Sequence, residues 1–353
     1  MSKATLMKSI RTAILSFGMS GRVFHAPFIA LDPQFELVGI WERTSNASLE
    51  FYPNIRIYRS LEEVLEDASI DLVIVNTPTY THYEYCKKTL LAGKHAVVEK
   101  AFTNTVEEAK ELDQIAMEKG LKLSVFQNRR WDSDFKTVKQ VIDQGLLGNI
   151  VEAEIHFDRF KEELSPKLHK EIPGPGAGVL YDLGPHLIDQ ALVLFGMPEA
   201  VFADLRITRR GSQVDDYFEI LLYYPQLRVR LKSGYQVREP FPSYVIHGSL
   251  GSFHKSRADV QEVDLVANQK PNRPDWGTEP IAEQGLLHTE KDGVCIREKI
   301  PTLTGNYADY YHAVGQAISL DKAMPVTSKD GIQVMQIIAA AAASHASRTV
   351  MTI

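Results

Sequence analysis

The segment at residues 178–189 carries two side chains suited to proton transfer, a carboxylate and an imidazole. Asp182 and His186 are four positions apart, so both lie on one face if the segment is helical. A neutral imidazole can take a hydroxyl proton near neutral pH, and a nearby carboxylate can orient the ring and stabilise the imidazolium that forms. Pro185 is accepted only in the first turn of a helix, which predicts a helix that begins close to Asp182. A helix cap and a buried structural histidine are the alternative interpretation of this spacing.

A turn at residues 16–21, Ser-Phe-Gly-Met-Ser-Gly, has the pattern of a phosphate-binding site. It follows an apolar run and precedes a predicted helix and a second apolar strand, which is the order of the dinucleotide fingerprint G-x-G-x-x-G. Ser16 replaces the first glycine. Gly18 would let the backbone approach a pyrophosphate, and Gly21 would let helix and strand pack closely. A structural glycine turn in another kind of α/β protein is the alternative.

The end of the second strand predicts how an adenosine ribose would be recognised. Glu42 is expected to accept hydrogen bonds from the ribose diol. Arg43 can stack on adenine or pair with a 2′-phosphate, which Glu42 would repel. The expected coenzyme is therefore NAD or NADP, with NAD slightly favoured.

The elements that must position these residues fall into two patterns. Up to residue 126, strands alternate with helices, which predicts a doubly wound parallel sheet of the Rossmann type whose strand ends bind ligands. The turn at 16–21, Asn76–Pro78 and Glu99-Lys100 lie at such ends. From residue 127, successive strands with short turns predict a mostly antiparallel sheet. The predicted fold class is α/β, with a dinucleotide-binding domain at 1–126 and a substrate-binding and oligomerisation domain at 127–353. A last helix, about residues 329–348, can pack back on the first domain.

Composition excludes several classes of protein. The chain of 353 residues is long enough for two domains, and its net charge of −6 argues against non-specific binding of nucleic acid or anionic membranes. Its two cysteines form no Cys/His cluster, so neither a metal site nor a disulfide framework is expected. Neither a signal peptide nor an apolar run of membrane-spanning length is evident, and a cytoplasmic location is the expectation.

Further motifs carry a resemblance to a known family. They are T-P-x-x-x-H, E-K and D-x-G-x-H, at residues 77–82, 99–100 and 182–186. With these motifs and the glycine turn, the chain resembles the Gfo/Idh/MocA oxidoreductases. It is most similar to their scyllo-inositol dehydrogenase branch, through FHAP at 24–27, NRRWDSDF at 128–135, HFDRF at 156–160, LYDLGPH at 180–186 and LFGMP at 194–198.

The resemblance implies a reaction and a set of residues. Lys100 would lie by the nicotinamide and the substrate hydroxyl, His186 would be the acid/base, and Asp182 would support it. The residues expected around the coenzyme are Ser16, Phe17, Gly18, Met19, Ser20, Gly21, Glu42, Arg43, Thr77, Pro78, His82, Glu99 and Lys100. The candidates for binding substrate hydroxyls are Asn128, Arg129, Arg130, Asp158 and Arg159, for which surface salt bridges are the alternative. The open sheet of the second domain is expected to form a homodimer or homotetramer.

The resulting functional prediction is an NAD(P)-dependent dehydrogenase. It would transfer a hydride between nicotinamide and a ring hydroxyl or ketone of a cyclitol or sugar, in a direction that the residues do not determine. The alternative is a cofactor-binding sensor of the same fold without turnover. Two departures from the family pattern are Ser16 in place of glycine and Ala101 in place of the proline after E-K. A third is Glu42-Arg43, where the scyllo-inositol branch often has Ser-Arg.

Overall fold

The structure is a computed structural model that describes residues 8–167 and 170–353, and the chain divides into two compact units. The first unit contains the described residues up to Asn128 together with Gln261–Trp276 and Asn306–Ile332. The second contains the described residues of Arg129–Val260, Gly277–Gly305 and Gln333–Ile353. Compared with the predicted boundary at residue 126, the first unit also includes two later segments of the chain.

The sheet of the first unit is parallel and has six strands in its described part. They are β1 (Ile10–Ile14), β2 (Phe35–Trp41), β3 (Arg56–Tyr58), β4 (Leu72–Val75), β5 (His95–Glu99) and β6 (Leu123–Phe126). Their order is β3-β2-β1-β4-β5-β6, with every pair parallel. All four residues of β4 are buried, as expected for a central strand covered on both faces. The strand order reverses between β1 and β4, the position at which such sheets bind ligands.

The described part of the chain contains a series of helices in addition to the strands. A π-helical turn, Gly21–His25, continues into α1 (Ala26–Leu31), and the rest are α2 (Leu61–Glu66), α3 (His82–Leu91), α4 (Val106–Glu118), α5 (Ser133–Asp143), α6 (Val179–Asp182), α7 (Gly184–Phe195), α8 (Gln261–Val266), α9 (Ala308–Ser319) and α10 (Ser328–Ser347). Thr105 and Glu108 form a full capping box at the start of α4. No helix among the described residues is long and apolar enough to cross a membrane.

The sheet of the second unit is mixed and mostly antiparallel, with nine strands in its described part. They are β7 (Ile150–His156), β8 (Ala200–Arg206), β9 (Tyr217–Tyr223), β10 (Arg228–Gly234), β11 (Tyr244–Gly248), β12 (Gly251–Lys255), β13 (Gly285–Lys291), β14 (Val294–Ile300) and β15 (Met351–Thr352). Their order is β14-β13-β12-β11-β7-β10-β9-β8-β15, and β7 with β10 is the parallel pair. These two sheets confirm the predicted fold class.

The hairpin of β13 and β14 was absent from the sequence prediction. β14 is largely exposed and rich in charge, so it lacks the apolar alternation that marks a half-buried strand, whereas β13 alternates buried and more exposed positions over its first six residues. Lys291 pairs with Val294 across a two-residue turn, Asp292-Gly293, in which both residues have positive φ. Asp-Gly is a strong signal for such a turn, and it could have identified the hairpin.

Candidate active site

The glycine turn after β1 passes very close to the end of β4. A Cβ atom added to Gly21 would lie 1.9 Å from the carbonyl oxygen of Ser16, so only glycine fits there. The Asn76 side chain donates a hydrogen bond to that same carbonyl at 2.9 Å. Ser16 is not among the described non-glycine residues with positive φ, and its hydroxyl accepts a hydrogen bond from the Gly18 N–H at 3.2 Å. Serine in place of the first glycine therefore creates no backbone strain and closes the turn.

A cavity of about 400 Å³ in the first unit lies at the ends of β1, β2 and β4. Ser16, Phe17 and Gly18 line it from the turn, Glu42 and Arg43 from the end of β2, and Thr77 and Pro78 from the end of β4. The rings of Trp41 and Tyr85, which also line it, lie 5.7 Å apart. A tight glycine cradle beside an aromatic-lined cavity suits the pyrophosphate and adenosine of a dinucleotide, so the residues present fit NAD or NADP.

The carboxylate of Glu42 faces into the protein. One oxygen accepts hydrogen bonds from the Ser45 hydroxyl and from the Ala47 N–H at 3.0 Å. The other accepts from the Ser48 hydroxyl and from the Ser48 N–H at 3.0 Å. The side chain is buried, and burial alone would raise its pKa, but these hydrogen bonds bring the pKa of Glu42 below its usual value. Glu42 is thus an ionised group whose acceptor positions are occupied by the loop that follows it.

Replacement of Glu42 by glutamine is expected to lower the free energy of unfolding by about 2 kcal/mol, because the amide NH₂ would face hydroxyl and N–H donors that the carboxylate accepts from, among them those of the buried Ser48. Chemical denaturation would measure the change. Glu50→Gln is the matched control, since Glu50 ends the same loop and is exposed. Equal stability of the two variants would contradict this account of the loop.

A partly buried hydrogen-bond network connects the glycine turn to the end of β5. The carboxylate of Glu99 accepts hydrogen bonds from the Ser20 hydroxyl at 2.5 Å, from His25 Nε2 at 3.1 Å and from the Lys100 N–H at 3.1 Å. The other ring nitrogen of His25 is hydrogen-bonded to the Tyr311 hydroxyl of α9. His25 belongs to the FHAP segment, for which the sequence had suggested no role. It holds the turn, the strand end that precedes Lys100 and α9 in one arrangement.

The charge of Glu99 depends on this network. Burial would raise its pKa, but the hydrogen bond and charge of His25, the charge of Lys100 and the Ser20 hydroxyl lower the pKa of Glu99 to about 2. A carboxyl whose pKa is depressed by folding contributes stability above its unfolded pKa, and that stability is lost as the pH falls toward the folded pKa.

Glu99→Gln should therefore destabilise the protein at neutral pH by roughly 3 kcal/mol, and the difference from wild type should shrink between about pH 5 and pH 2. Urea denaturation across that range would test it, with the exposed Glu107→Gln as control. A difference that does not vary with pH would be inconsistent with an ionised Glu99.

His82 joins the ends of β4 and β5 rather than presenting its ring to solvent. It is 1 % exposed, and its two ring nitrogens lie 2.7 Å from the carbonyl oxygens of Thr77 and Ala101. Burial is the main reason that its pKa is lowered. The Lys100–Ala101 peptide bond is cis, and Ala101 is fully buried. His82 thereby anchors the residue that follows Lys100.

In the second unit, Asp182 and His186 lie on either side of a one-residue break between two helices. Asp182 ends α6, and His186 is in the first turn of α7 directly after Pro185, close to the predicted helix start. His186 is 5 % exposed. Asp182 accepts a hydrogen bond from the Tyr235 hydroxyl at 3.4 Å and lies 3.5 Å from the Lys170 ammonium. Burial, followed by the charge of Asp182, raises the pKa of Tyr235, which therefore stays a donor. Sequence reasoning missed both partners, which lie far from Asp182 along the chain.

Three guanidinium groups gather around the ring of Phe157 in the second unit. Those of Arg129, Arg159 and Arg257 lie 5.3, 5.0 and 4.5 Å from the ring centroid. Two of these arginines were predicted as substrate residues, and Arg257 was not. The ring surface gives each cation a favourable contact. The guanidinium groups of Arg129 and Arg257 also lie 3.4 and 3.7 Å from the carboxylate of Asp132.

Asp158 adds a buried carboxylate to this region. Its side chain is 2 % exposed, one oxygen lies 3.5 Å from His156 Nδ1, and the other has no hydrogen-bond partner among the described residues. Burial alone would lower the pKa of His156, but Asp158 and Glu154 raise it. The neighbouring Arg159 N–H donates to the Gly234 carbonyl at 2.9 Å, directly before Tyr235. Asp158 therefore precedes a residue that is hydrogen-bonded to Gly234, and the next residue, Tyr235, is hydrogen-bonded to Asp182.

Two other predicted substrate residues have different surroundings. Arg130 forms a two-point ion pair with Asp189, at 2.8 and 2.6 Å. For this residue the structure therefore shows the salt bridge that was the alternative to substrate binding. Asn128 is 4 % exposed at the start of the short helix Asn128–Trp131. Among the described residues, no group of three or more histidine, cysteine or acidic side chains could hold a metal ion.

Comparison with known proteins agrees with this division of the chain. Residues 10–127 match the model described as "Oxidoreductase family, NAD-binding Rossmann fold". Residues 139–353 match the model described as "Oxidoreductase family, C-terminal alpha/beta domain". Together the two models cover most of the chain.

Individual relatives are similar over nearly their whole length. The chain is 39% identical over 330 residues to the uncharacterized oxidoreductase YdgJ of Escherichia coli K12, covering 94% of each chain. It is 39% identical over 344 residues to the scyllo-inositol 2-dehydrogenase (NADP(+)) IolW of Bacillus subtilis 168, covering 97% of this chain and 96% of that one. A solved structure from Bacteroides fragilis NCTC 9343 superimposes with a TM-score of 0.90 at 46% identity, covering 98% and 100% of the two chains.

Proposed function

Because the chain belongs to the Gfo/Idh/MocA oxidoreductase family, we propose that it is a dehydrogenase acting on a ring hydroxyl of a cyclitol or sugar. Bound NAD or NADP would supply the group that accepts or returns the hydride. The glycine turn and the cavity at the ends of β1, β2 and β4 would hold it, with Thr77 and Pro78 on one side. The name of IolW, at 39% identity over 97% of this chain, supports a cyclitol as substrate.

His186 is the proposed acid/base. It is a buried imidazole in the first turn of α7. In alcohol oxidation it would take the hydroxyl proton as the hydride leaves the same carbon, and in ketone reduction it would return that proton. Asp182 would favour the imidazolium that forms. The Tyr235 hydroxyl and the Lys170 ammonium, which both contact Asp182, would hold that carboxylate in place.

Lys100 is the proposed electrophile. It directly follows Glu99, whose mostly buried carboxylate accepts a hydrogen bond from the Lys100 N–H, and its ammonium would stabilise the developing negative charge on the substrate oxygen. The proposed reaction requires the Lys100 ammonium and the His186 imidazole to act on the same hydroxyl, a requirement that kinetic analysis of variants can test directly.

Recognition of a polyol requires several polar groups that are held in place. The open oxygen of buried Asp158 could accept a substrate hydroxyl, and Arg129 and Arg159, on the Phe157 ring, could donate to others. Asn128 completes the proposed set. An unsatisfied buried carboxylate oxygen costs free energy unless something binds it, and this observation carries the polyol proposal.

The test is a panel of inositols and hexoses with NAD⁺ and NADP⁺, followed at the absorbance band of the reduced nicotinamide. Turnover of a cyclitol or sugar is the expected result. Stable coenzyme binding without oxidation of any polyol would instead support the sensor alternative. Asp158→Asn should raise KM for the active substrate more than it lowers kcat, because it changes recognition rather than proton transfer.

We also propose that two or more copies associate through the outer face of the second unit's sheet. Along β9, alternate residues are buried, while Tyr217, Leu221 and Tyr223 are partly exposed on the other face. Light scattering on the purified protein would detect a dimer or tetramer, and a monomer would refute this part. Activity in the cytoplasm remains a prediction.

A further inference from the structure

The end of β2 decides which coenzyme this fold accepts. A carboxylate there selects NAD by accepting hydrogen bonds from the ribose hydroxyls, and a nearby arginine accommodates the 2′-phosphate of NADP. Glu42 and Arg43 occupy this position, so the two side chains favour different coenzymes. Which of them faces the ligand depends on how each is held.

Glu42 has no open acceptor position with which to bind a ribose. A carboxylate has about four lone-pair sites. In Glu42 the hydroxyls of Ser45 and Ser48 and the N–H groups of Ala47 and Ser48 supply four donors. To accept a ribose diol, the side chain would have to give up donors that it already binds, and leaving the hydroxyl or N–H of the buried Ser48 without a partner costs free energy.

Arg59 holds the same loop from its other side. Its guanidinium donates to the carbonyl oxygens of Glu42 at 2.8 Å and Ser45 at 2.7 Å, and to the Asn46 side chain at 2.5 Å. With Glu42 binding the N–H groups and Arg59 binding the carbonyls, both charged side chains are used to fold the loop. The loop is therefore preorganised before a ligand arrives.

Arg43 is in the opposite situation. It is exposed, it lines the cavity, and it forms no hydrogen bond or ion pair within residues 8–167 and 170–353. A guanidinium carries several donors in a planar fork that matches phosphate oxygens. Its side chain can reach a ligand without breaking any contact seen in the described structure.

We infer that this chain selects NADP over NAD, with Arg43 as the residue that binds the 2′-phosphate and Glu42 as a structural residue of the loop. The inference rests on the proposed function, because it assumes that the cavity holds the adenosine half of a dinucleotide. It reverses the slight preference for NAD drawn from the sequence.

The experiment is calorimetric titration of the full-length protein with NADP⁺, NAD⁺, 2′,5′-ADP and 5′-ADP, without substrate. We expect the ligands with a 2′-phosphate to bind at least about tenfold more tightly than their counterparts, as for one bidentate charged contact. Arg43→Ala should remove that difference and leave NAD⁺ affinity nearly unchanged. Lys110→Ala, which removes an exposed charge from α4, is the matched control and should preserve the difference.

A second variant distinguishes the two roles of Glu42. If Glu42 only holds the loop, Glu42→Gln weakens NAD⁺ and NADP⁺ by similar factors and their ratio is unchanged. If Glu42 accepts hydrogen bonds from the ribose hydroxyls, the variant loses affinity for NAD⁺ but not for NADP⁺, and the inference is overturned.

Two further results would also overturn it: wild-type binding of NAD⁺ as tight as that of NADP⁺, or equal weakening of both by Arg43→Ala. Tight NADP⁺ binding without polyol turnover would remove the proposed substrate chemistry and leave the selection intact. If the protein binds neither NAD⁺ nor NADP⁺, both the proposed function and the inferred coenzyme selection are refuted.

Discussion

His186→Ala is expected to lower kcat by about 10²–10⁴-fold, the contribution of a positioned general acid or base. The imidazole is buried in the first turn of α7, and its removal takes away the proposed proton acceptor. Coenzyme affinity should stay close to wild type, because the residues proposed to bind the dinucleotide belong to the first unit. Steady-state kinetics and coenzyme titration together would measure the two effects.

The control for this change is His288→Ala, since His288 is an exposed histidine on β13. It should leave both kcat and coenzyme affinity unchanged. Thermal unfolding of each variant would show whether a lost rate reflects lost fold. A folded His186→Ala protein that keeps wild-type turnover would remove this residue from the proposed mechanism.

Lys100→Met should lower kcat by about 10²–10³-fold, the usual loss when one donor to a developing oxyanion is removed. Methionine keeps most of the length and apolar character of the side chain and removes the charge. The backbone hydrogen bond from residue 100 to Glu99 does not depend on this side chain, so the strand end should remain in place. Lys110→Met, on the exposed face of α4, is the matched control.

The double variant Lys100→Met/His186→Ala tests whether the two groups serve one step. Groups that stabilise the same transition state give losses that are not additive, because the second change removes what the first had already disabled. Fully additive losses would show that the residues act independently, which contradicts the proposed reaction.

Much of the first unit could be predicted because its determinants are local. The apolar runs of β1, β2 and β4, the glycines of the turn and the breaks between elements all lie within short stretches of sequence. The same holds for Pro185, whose restricted backbone places it in a first turn wherever that helix packs. The β13–β14 hairpin was missed because β14 is exposed and charged and lacks apolar alternation, although the Asp292-Gly293 turn carries a local signal.

The sequence by itself determined which chemical groups are present and the order of strands and helices that carry them. It could not determine what those groups bind, because hydrogen-bond partners come from distant parts of the chain or from the direction in which a side chain turns. Glu42 shows this most clearly: its position predicted a ribose acceptor, and folding turned its carboxylate toward Ser45, Ala47 and Ser48. The contacts of His25 with Tyr311 and of Asp182 with Tyr235 likewise exist only after folding, since hydrogen bonding requires proximity in space and not along the chain.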